Sequence, residues 1–486
     1  MLSKKLLFNN VSTRQTILKN TFWLSASTGL NKLFSLVLLV YAARLLGAEG
    51  YGQFTFALAF ASLLMIFSDL GLASIITREF ARGEKKEELH AIFSLKILLA
   101  VGTFLLVALF SFFVAPNPQA QWITLVLALF LLVNGLLDTF DSFFHARQKM
   151  EYAAFFEVLQ ALLIFTFGLF VLLQFPSPAT LSYAYLGAAV VTFVLALGFF
   201  HFRIFPMRLT WDVVVWEKFL RMSWPLAFMG LFGLLYSYID SVMLGYLGML
   251  EETGWYNAAQ KIVMAGLVPM GLIASSLYPA LSKFSKESKE KFQRAWGYEL
   301  EIMLVLALPL VVGGFILAPQ IIDALYPASF VPAILAFQIL VFSAGLIFIF
   351  RPFYDAMIVS DQQSKAFWIT MLGAVVNVAL NAALIPRYSL YGAAVATVCT
   401  QALVLGAIVV FALKLTPLRF PLAKTVLVLV AAGFCSLVMW LLIRQLSLYN
   451  VHVFFLVPAG AGVYFALLFV IRRYVLVRYA KRFYEP

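Results

Sequence analysis

The chain has 486 residues, of which 63% are hydrophobic and 12% charged, and its formal net charge is +12. This composition excludes an ordinary soluble domain and a disordered chain, and it indicates a membrane protein with many spans. In a soluble protein the positive charge would suggest nucleic-acid binding, but here it reflects membrane topology and affinity for anionic lipids, so no nucleic-acid partner is expected. Cys399 and Cys435 both lie in apolar segments, so neither a disulfide nor a metal framework is predicted.

Apolar segments follow one another along the chain without an intervening soluble domain. Each is long enough to cross, as a helix, a hydrocarbon layer about 30 Å thick. The sequence predicts fourteen spans, at residues 20–46, 50–76, 91–115, 121–143, 153–175, 180–202, 222–248, 255–281, 297–318, 331–359, 366–385, 390–413, 421–443 and 451–471. The predicted fold class is therefore an all-α integral membrane protein.

Basic residues collect in every second connection between these spans. Of the 35 Lys and Arg residues, 29 lie in these connections, at Lys4–Lys19, Arg78–Lys96, Arg147–Lys149, Arg203–Arg221, Lys283–Arg294, Lys365, Lys414–Lys424 and Arg472–Arg482. Only Arg44, Arg387 and Arg444 lie in the opposite connections. By the positive-inside rule, the chain is predicted to be a multi-pass protein of the cell membrane with both termini cytoplasmic.

An internal repeat divides the chain into two similar halves. The stretch Leu45–Phe54 has a counterpart in Tyr246–Ala258, and each stretch joins a first span to a second on the outer face. Six spans separate the copies, so the repeats are parallel and related by a pseudo-twofold axis along the membrane normal. We predict a lobe of spans 1–6 at residues 1–215, a lobe of spans 7–12 at residues 216–415, and two further spans with a cytoplasmic tail at residues 416–486.

Several short motifs, taken in their order and spacing, resemble a known family. They are Ala43–Gly47 through Phe54, Asp69–Leu72 with Arg78, Ala146–Ala153, Gly254–Ala259, Asn377–Asn381, Leu384–Pro386 and Gly392–Thr397. Together they resemble the polysaccharide biosynthesis (oligosaccharide flippase) proteins of the multidrug/oligosaccharidyl-lipid/polysaccharide exporter superfamily. The resemblance implies a transporter that carries an isoprenoid-pyrophosphate-linked oligosaccharide from the cytoplasmic to the outer leaflet by alternating access. It also implies a polysaccharide polymerase and glycosyltransferases as partners.

The three remaining basic residues lie inside predicted spans, where a charge costs about 2.5–3.5 kcal/mol and marks a candidate functional site. Lys32 and Lys261 fall on opposite predicted lobes, and we expect them to face each other across a cavity and bind phosphate oxygens. Pairing with a buried acid for Lys32, and snorkelling for either lysine, are the structural alternatives. Arg351 is a third candidate for substrate binding, but Asp355 lies four residues on, at the helical spacing of an ion pair.

Two interfacial arginines complete the predicted substrate-binding set. Arg44 lies at the outer end of the first span and Arg78 at the inner end of the second. Arginine recognises phosphate through a bidentate fork, so both are candidates for substrate contact. Closing a loop or binding a lipid headgroup is the alternative for each.

Acidic residues within spans are candidates for coupling transport to an ion gradient. Asp240 is the deepest isolated carboxylate, and Asp355 is the second candidate. A buried carboxylate can exchange a proton, and nearby hydroxyls and carbonyls can complete a sodium site, so Na⁺ or H⁺ is the expected coupling ion. Neutralisation of Lys261 by Asp240 is an equally good structural reading. No Gly-x4-Gly-Lys phosphate loop occurs in the sequence, so direct use of ATP and any cofactor are not expected.

Two other functional classes stay open at this point. A multidrug or cation antiporter of the same superfamily would share the fold but favour acid-lined cavities over basic ones. A membrane-embedded polysaccharide polymerase or ligase would need a large external loop for catalytic residues, and the external connections here are short. A transporter is therefore favoured over an enzyme.

Overall fold

The apolar segments form helices in the computed structural model, which describes residues 10, 12–83, 87–449 and 451–473. Of the predicted cytoplasmic basic residues, Lys4, Lys5, Lys85, Lys86, Arg478, Lys481 and Arg482 lie outside this described part, and so do both termini. The helices are α1 (Thr13–Leu64), α2 (Ile66–Asp69), α3 (Leu72–Ala81), α4 (Glu88–Val114), α5 (Pro118–Ala146), α6 (Met150–Gln174), α7 (Pro178–Arg203), α8 (Val213–Tyr246), α9 (Leu250–Gly266), α10 (Val268–Glu287), α11 (Lys289–Leu325), α12 (Ala333–Val359), α13 (Gln363–Leu415), α14 (Leu422–Ser447) and α15 (Val453–Ile471).

The predicted spans all fall on these helices, and the predicted all-α membrane class is confirmed. Within the described ranges, twelve helical stretches are long and apolar enough to cross a membrane. The number differs from the fourteen predicted segments because α1 and α13 each cover two of them. Each has a residue with non-helical backbone where the sequence places a connection, namely Gly47 (φ 70°) and Ser389 (φ 51°).

Two predicted spans contain a break in their helix. Span 8 breaks at Leu267, where α9 gives way to α10 and Pro269 occupies the first turn. Span 2 breaks at Leu70 and Gly71, whose φ angles are 46° and 76°. A Cβ at Gly71 would lie 2.9 Å from the carbonyl oxygen of Ser223, so α8 passes too close for any other side chain. The Asp69–Leu72 motif is therefore a packed helix break.

The chain forms two compact units, residues 1–254 and 255–486, and the boundary falls inside α9. The first unit contains α1 to α8, so α8 groups with the first six predicted spans. The predicted lobe limits at residues 215 and 415 stay a prediction.

Aromatic packing and ion pairs hold the N-terminal unit together. A cluster of phenylalanines fills the space between α3, α4, α5 and α7, with the rings of Phe140 and Phe200 centred 4.8 Å apart. At the start of α1, the Lys19 ammonium lies 2.8 Å from Glu151 at the start of α6, and both side chains are buried. A buried pair of this kind fixes the position of one helix end against another.

Three apolar clusters in the described part of the C-terminal unit share α11, and two of them show how the helices pack. Trp296 on α11 packs edge-on against Phe353 on α12, with ring centroids 5.3 Å apart, within a cluster that also takes in residues of α13 and α14. Further along α11, Leu317 packs with Cys435 and Tyr464, and the Tyr464 hydroxyl donates to the Val305 carbonyl at 2.7 Å. The last two helices, α14 and α15, therefore pack against α11.

Glycines at the ends of the first and seventh predicted spans show the internal repeat in three dimensions. Gly47 and Gly248 both have left-handed backbones, with φ 70° and 77°. Beyond them, a Cβ at Gly52 would lie 1.8 Å from the Leu250 carbonyl oxygen, and a Cβ at Gly254 would lie 2.1 Å from the Ala48 carbonyl oxygen. The two copies of the repeated motif therefore meet backbone to backbone, which only glycine permits.

Candidate functional site

Lys32 lies at the end of a polar stripe on α1. Thr21, Ser25 and Thr28 precede it at spacings of four, three and four residues, which place all four side chains on one face of the helix. All four residues are exposed. Among the described residues Lys32 has no ion-pair partner, so the predicted alternative of a pair with a buried acid is not formed. Its ammonium is available to a ligand.

The position of Lys32 along α1 disfavours snorkelling. The helix begins at Thr13, and nineteen residues at about 1.5 Å each put Lys32 roughly 28 Å from that end. The turn at Gly47 lies fifteen residues further on, roughly 22 Å away. A four-carbon side chain reaches neither end, so the charge stays at membrane depth.

Arg44 and Arg78, the two interfacial arginine candidates, differ in their interactions with other residues. Arg44 is exposed and interacts with other described residues. The Nε of Arg78 donates to the Glu79 carboxylate at 2.7 Å, and one terminal nitrogen lies 3.7 Å from the Met222 sulfur on α8. The Arg78 side chain remains 47% exposed, so part of its fork is free for a headgroup or substrate.

Asp240 and Lys261 occupy different units and different surroundings. Asp240 on α8 is 2% exposed and interacts with other described residues. Lys261 on α9 is partly exposed, and no ion pair to it is found in the part of the chain that the structure describes. A substrate role for Lys261, a coupling role for Asp240 and the neutralisation of one by the other stay predictions.

Arg351 and Asp355 form the ion pair that their helical spacing predicts. The Arg351 Nε donates to Asp355 Oδ2 at 2.7 Å on α12. The carboxylate is 2% exposed and the arginine side chain 34% exposed. The pair stabilises a buried carboxylate, which makes Arg351 less available for substrate than Lys32.

A buried lysine in the N-terminal unit was missed by the sequence reasoning. Lys96 is assigned above to a cytoplasmic connection, but on α4 it is 1% exposed. Its ammonium lies 2.9 Å from Asp69 Oδ1 and donates to the Gly135 carbonyl at 2.8 Å. The apolar residues on both sides of Lys96 were the available signal of burial.

A polar stripe on α5 adjoins Lys96. Its members are Asn134, Asp138, Asp141 and His145, at spacings of four, three and four residues, and all four are at least partly exposed. Gln160 on α6 donates to Asn134, and Glu157 on α6 interacts electrostatically with both aspartates. Carboxylates outnumber cations here, so this surface suits hydroxyl groups or cations better than phosphate.

The C-terminal unit contains a polar cluster that includes part of the motif Asn377–Asn381. Asn381 donates to Asn377 at 3.1 Å, and both are buried on α13. On the second half of α13, the Thr397 hydroxyl donates to the Ala393 carbonyl at 3.1 Å and lies 3.3 Å from the Tyr256 hydroxyl of α9. In the described ranges, no three His, Cys, Asp or Glu residues are arranged to hold a metal ion.

Comparisons with known proteins agree with this architecture. Residues 17–285 match the family described as "Polysaccharide biosynthesis protein". An uncharacterized membrane protein of Methanocaldococcus jannaschii is 24% identical over 426 residues, which are 81% of this chain and 83% of that protein. The probable flippase AglR of Haloferax volcanii is 28% identical over 174 residues, 35% of this chain and 36% of the relative. The match therefore spans about a third of that flippase.

A solved structure shares the fold over nearly the whole chain. The lipid II flippase MurJ, in an inward closed conformation, has a TM-score of 0.77 at 16% identity. The match covers 93% of this chain and 99% of that one. This likeness confirms the predicted two-lobe helical fold.

Proposed function

The chain belongs to the polysaccharide biosynthesis protein family, and we propose that it moves an isoprenoid-pyrophosphate-linked oligosaccharide from the cytoplasmic to the outer leaflet. The family, and the relative named as a probable flippase, support translocation of a lipid-linked substrate. The relatives with named activities are flippases, not enzymes. Polysaccharide polymerase and glycosyltransferases are the partners that such a pathway requires.

The polar stripe of α1 carries this proposal. A sugar-pyrophosphate headgroup cannot cross hydrocarbon unaided, so a carrier must offer polar and cationic groups at membrane depth. Thr21, Ser25 and Thr28 supply hydroxyls along one exposed face, and Lys32 supplies a positive charge that no acid neutralises within the described residues. Such a face binds phosphate oxygens through charge-assisted hydrogen bonds. Lys261 is a further candidate cation for substrate phosphate.

An ion gradient supplies the energy in this proposal. Asp240 is 2% exposed on a membrane-spanning helix, where an ionised carboxylate is costly unless it is paired or ion-bound. Na⁺ or H⁺ binding at Asp240 would favour one conformation of an alternating-access cycle, because a ligand shifts an equilibrium by its differential affinity for two states.

Transport by the purified protein in liposomes tests the proposal. Labelled polyprenyl-pyrophosphate oligosaccharide is placed in both leaflets, and an external glycosidase digests the outer pool. With the protein present, we expect the inner pool to become digestible with time. A protected fraction equal to that of protein-free liposomes would contradict the proposal. Export of an organic cation without movement of the glycan would favour the antiporter instead.

A further inference from the structure

Glu299 is a buried carboxyl group that the proposed transport cycle does not use. It lies on α11, one turn after Trp296, and its residue exposure is 0%. As a carboxylate it has no hydrogen-bond donor among the described residues, and its hydrogen-bonding neighbour is a second carboxyl group, that of Asp355. An ionised carboxylate without donors in such a place costs several kcal/mol, so the group must be neutral or strongly compensated.

The charged groups nearest to Glu299 cannot compensate it. The charged groups beside it are Asp355 and Arg351, both on α12. Asp355 is itself 1% exposed, and the Arg351 Nε is bonded to its Oδ2. The Lys424 ammonium of α14 lies 2.8 Å from Glu301 and is thus engaged elsewhere. The other titratable groups on the helices packed against α11 are Tyr278, Lys283, Lys286 and Glu287 on α10, Tyr354 on α12, Cys435 and Arg444 on α14, and Tyr464 on α15.

Two carboxyl groups therefore share one guanidinium in an apolar setting. With both ionised, the set would carry one uncompensated negative charge next to Trp296, Phe353 and other apolar residues. One added proton makes it neutral, because like charges at close range in low dielectric do not both ionise. A protonated Glu299 gains a donor that can reach the Asp355 carboxylate.

We propose that Glu299 and Asp355 form a binding site for one proton, held in place by Arg351. The proton leaves as the O–H bond of the carboxylic acid breaks and a water molecule accepts it. Arg351 is 34% exposed, so accessible space begins beside the site. Pro352 follows Arg351 and removes one hydrogen bond from α12, which provides a bend that changes the distance between the carboxyl groups.

This site adds a proton-binding step to the proposed function. Only the role of the site in transport rests on that function. Proton release would accompany the conformation in which water reaches Asp355, so the flipping rate would depend on cytoplasmic pH. The occupancy of the site is a property of the folded protein and needs no substrate.

Infrared difference spectroscopy of the reconstituted protein at neutral pH tests occupancy. The wild-type spectrum minus that of Glu299→Gln should contain the carbonyl stretch of one protonated carboxylic acid. Glu301→Gln is the matched control, because Glu301 lies two residues further along α11 and pairs with Lys424. The wild-type spectrum minus that of Glu301→Gln should lack this band. Absence of the band from the Glu299→Gln difference spectrum would overturn the proposal.

The melting temperatures of the variants provide a second test of whether Glu299 is protonated, which applies even if a variant folds poorly. Replacing a neutral acid by a neutral amide of the same shape should leave the melting temperature of Glu299→Gln at or above that of wild type. A larger fall for Glu299→Gln than for Glu301→Gln would mean that Glu299 is ionised and needed as an anion, which also contradicts the proposal.

A transport assay distinguishes a failure of this inference from a failure of the proposed function. In liposomes, Glu299→Gln should still move the glycan, while its rate loses the dependence on internal pH that wild type shows. An unchanged pH dependence would exclude a coupling role. If wild type moves no glycan at all, the proposed function fails, and the infrared result still decides whether the proton site exists.

Discussion

The contact between Gly52 and Gly254 gives the sharpest prediction about how the two copies of the repeated motif fit together. Adding one methyl group at either position places a Cβ against a backbone carbonyl oxygen, at 1.8 Å for Gly52→Ala and 2.1 Å for Gly254→Ala. Neither carbonyl can rotate away as a side chain would, because each belongs to a helix. The helices themselves must separate.

The size of the effect follows from these distances. An ordinary van der Waals contact begins at 3.4 Å, so the backbones around Gly52 must move apart by about 1.6 Å. Overpacking of a tight interior costs about 1–3 kcal/mol, and a rigid backbone puts this site at the upper end. Alanine regains about 1 kcal/mol of helix propensity over glycine. The expected net loss of stability is about 2 kcal/mol for Gly52→Ala.

Gly102 and Gly433 are matched controls, because a Cβ at either position meets no atom within 4 Å. Their alanine variants should be stabilised by up to about 1 kcal/mol. Melting of the purified variants in detergent, followed by size-exclusion chromatography, measures both effects. Equal melting temperatures for Gly52→Ala and Gly102→Ala would refute the close backbone packing.

Three further predictions concern topology, coupling and buried charge. In a cysteine-free background of intact cells, a cysteine at Gln119 should react with an impermeant reagent and one at Lys289 should not; reaction at Lys289 would reverse the orientation. Asp240→Asn should reduce gradient-driven transport more than it reduces binding of the lipid-linked sugar, and an unchanged response to an imposed gradient would exclude the coupling role. Glu151→Gln removes the carboxylate that pairs with the buried ammonium of Lys19 and should cost about 3–5 kcal/mol. Glu217→Gln, in an exposed pair, should cost at most about 1 kcal/mol, and similar melting of the two variants would contradict the burial.

Features set by local sequence were predictable. The spans follow from hydrophobicity along the chain, and the turn at Gly47 follows from a glycine between two apolar runs. The Arg351 to Asp355 pair follows from a spacing of four on one helix. In each case the interacting groups are close in the chain.

Features set by distant segments were not predictable. Lys96 reads as part of a basic cytoplasmic connection, because its partners Asp69 and Gly135 lie on other helices. Glu299 follows a run of exposed basic residues, so the sequence suggests that it is exposed at the same end of α11. Packing of α11 on α12 buries it completely. The break at Gly71 depends on the approach of α8, about 150 residues away.

The central claim is that the charge of Lys32 at membrane depth recognises a pyrophosphate headgroup. Glycan flipping by wild type, Lys32→Ala, Lys32→Arg and the Lys32→Ala, Lys261→Ala double variant tests it most directly, with Lys289→Ala as an exposed control. A hydrogen bond to a charged group contributes about 1.5–3 kcal/mol, so Lys32→Ala should be roughly ten- to a hundredfold slower. Lys32→Arg and Lys289→Ala should stay close to wild type. Wild-type flipping by the double variant would contradict the account.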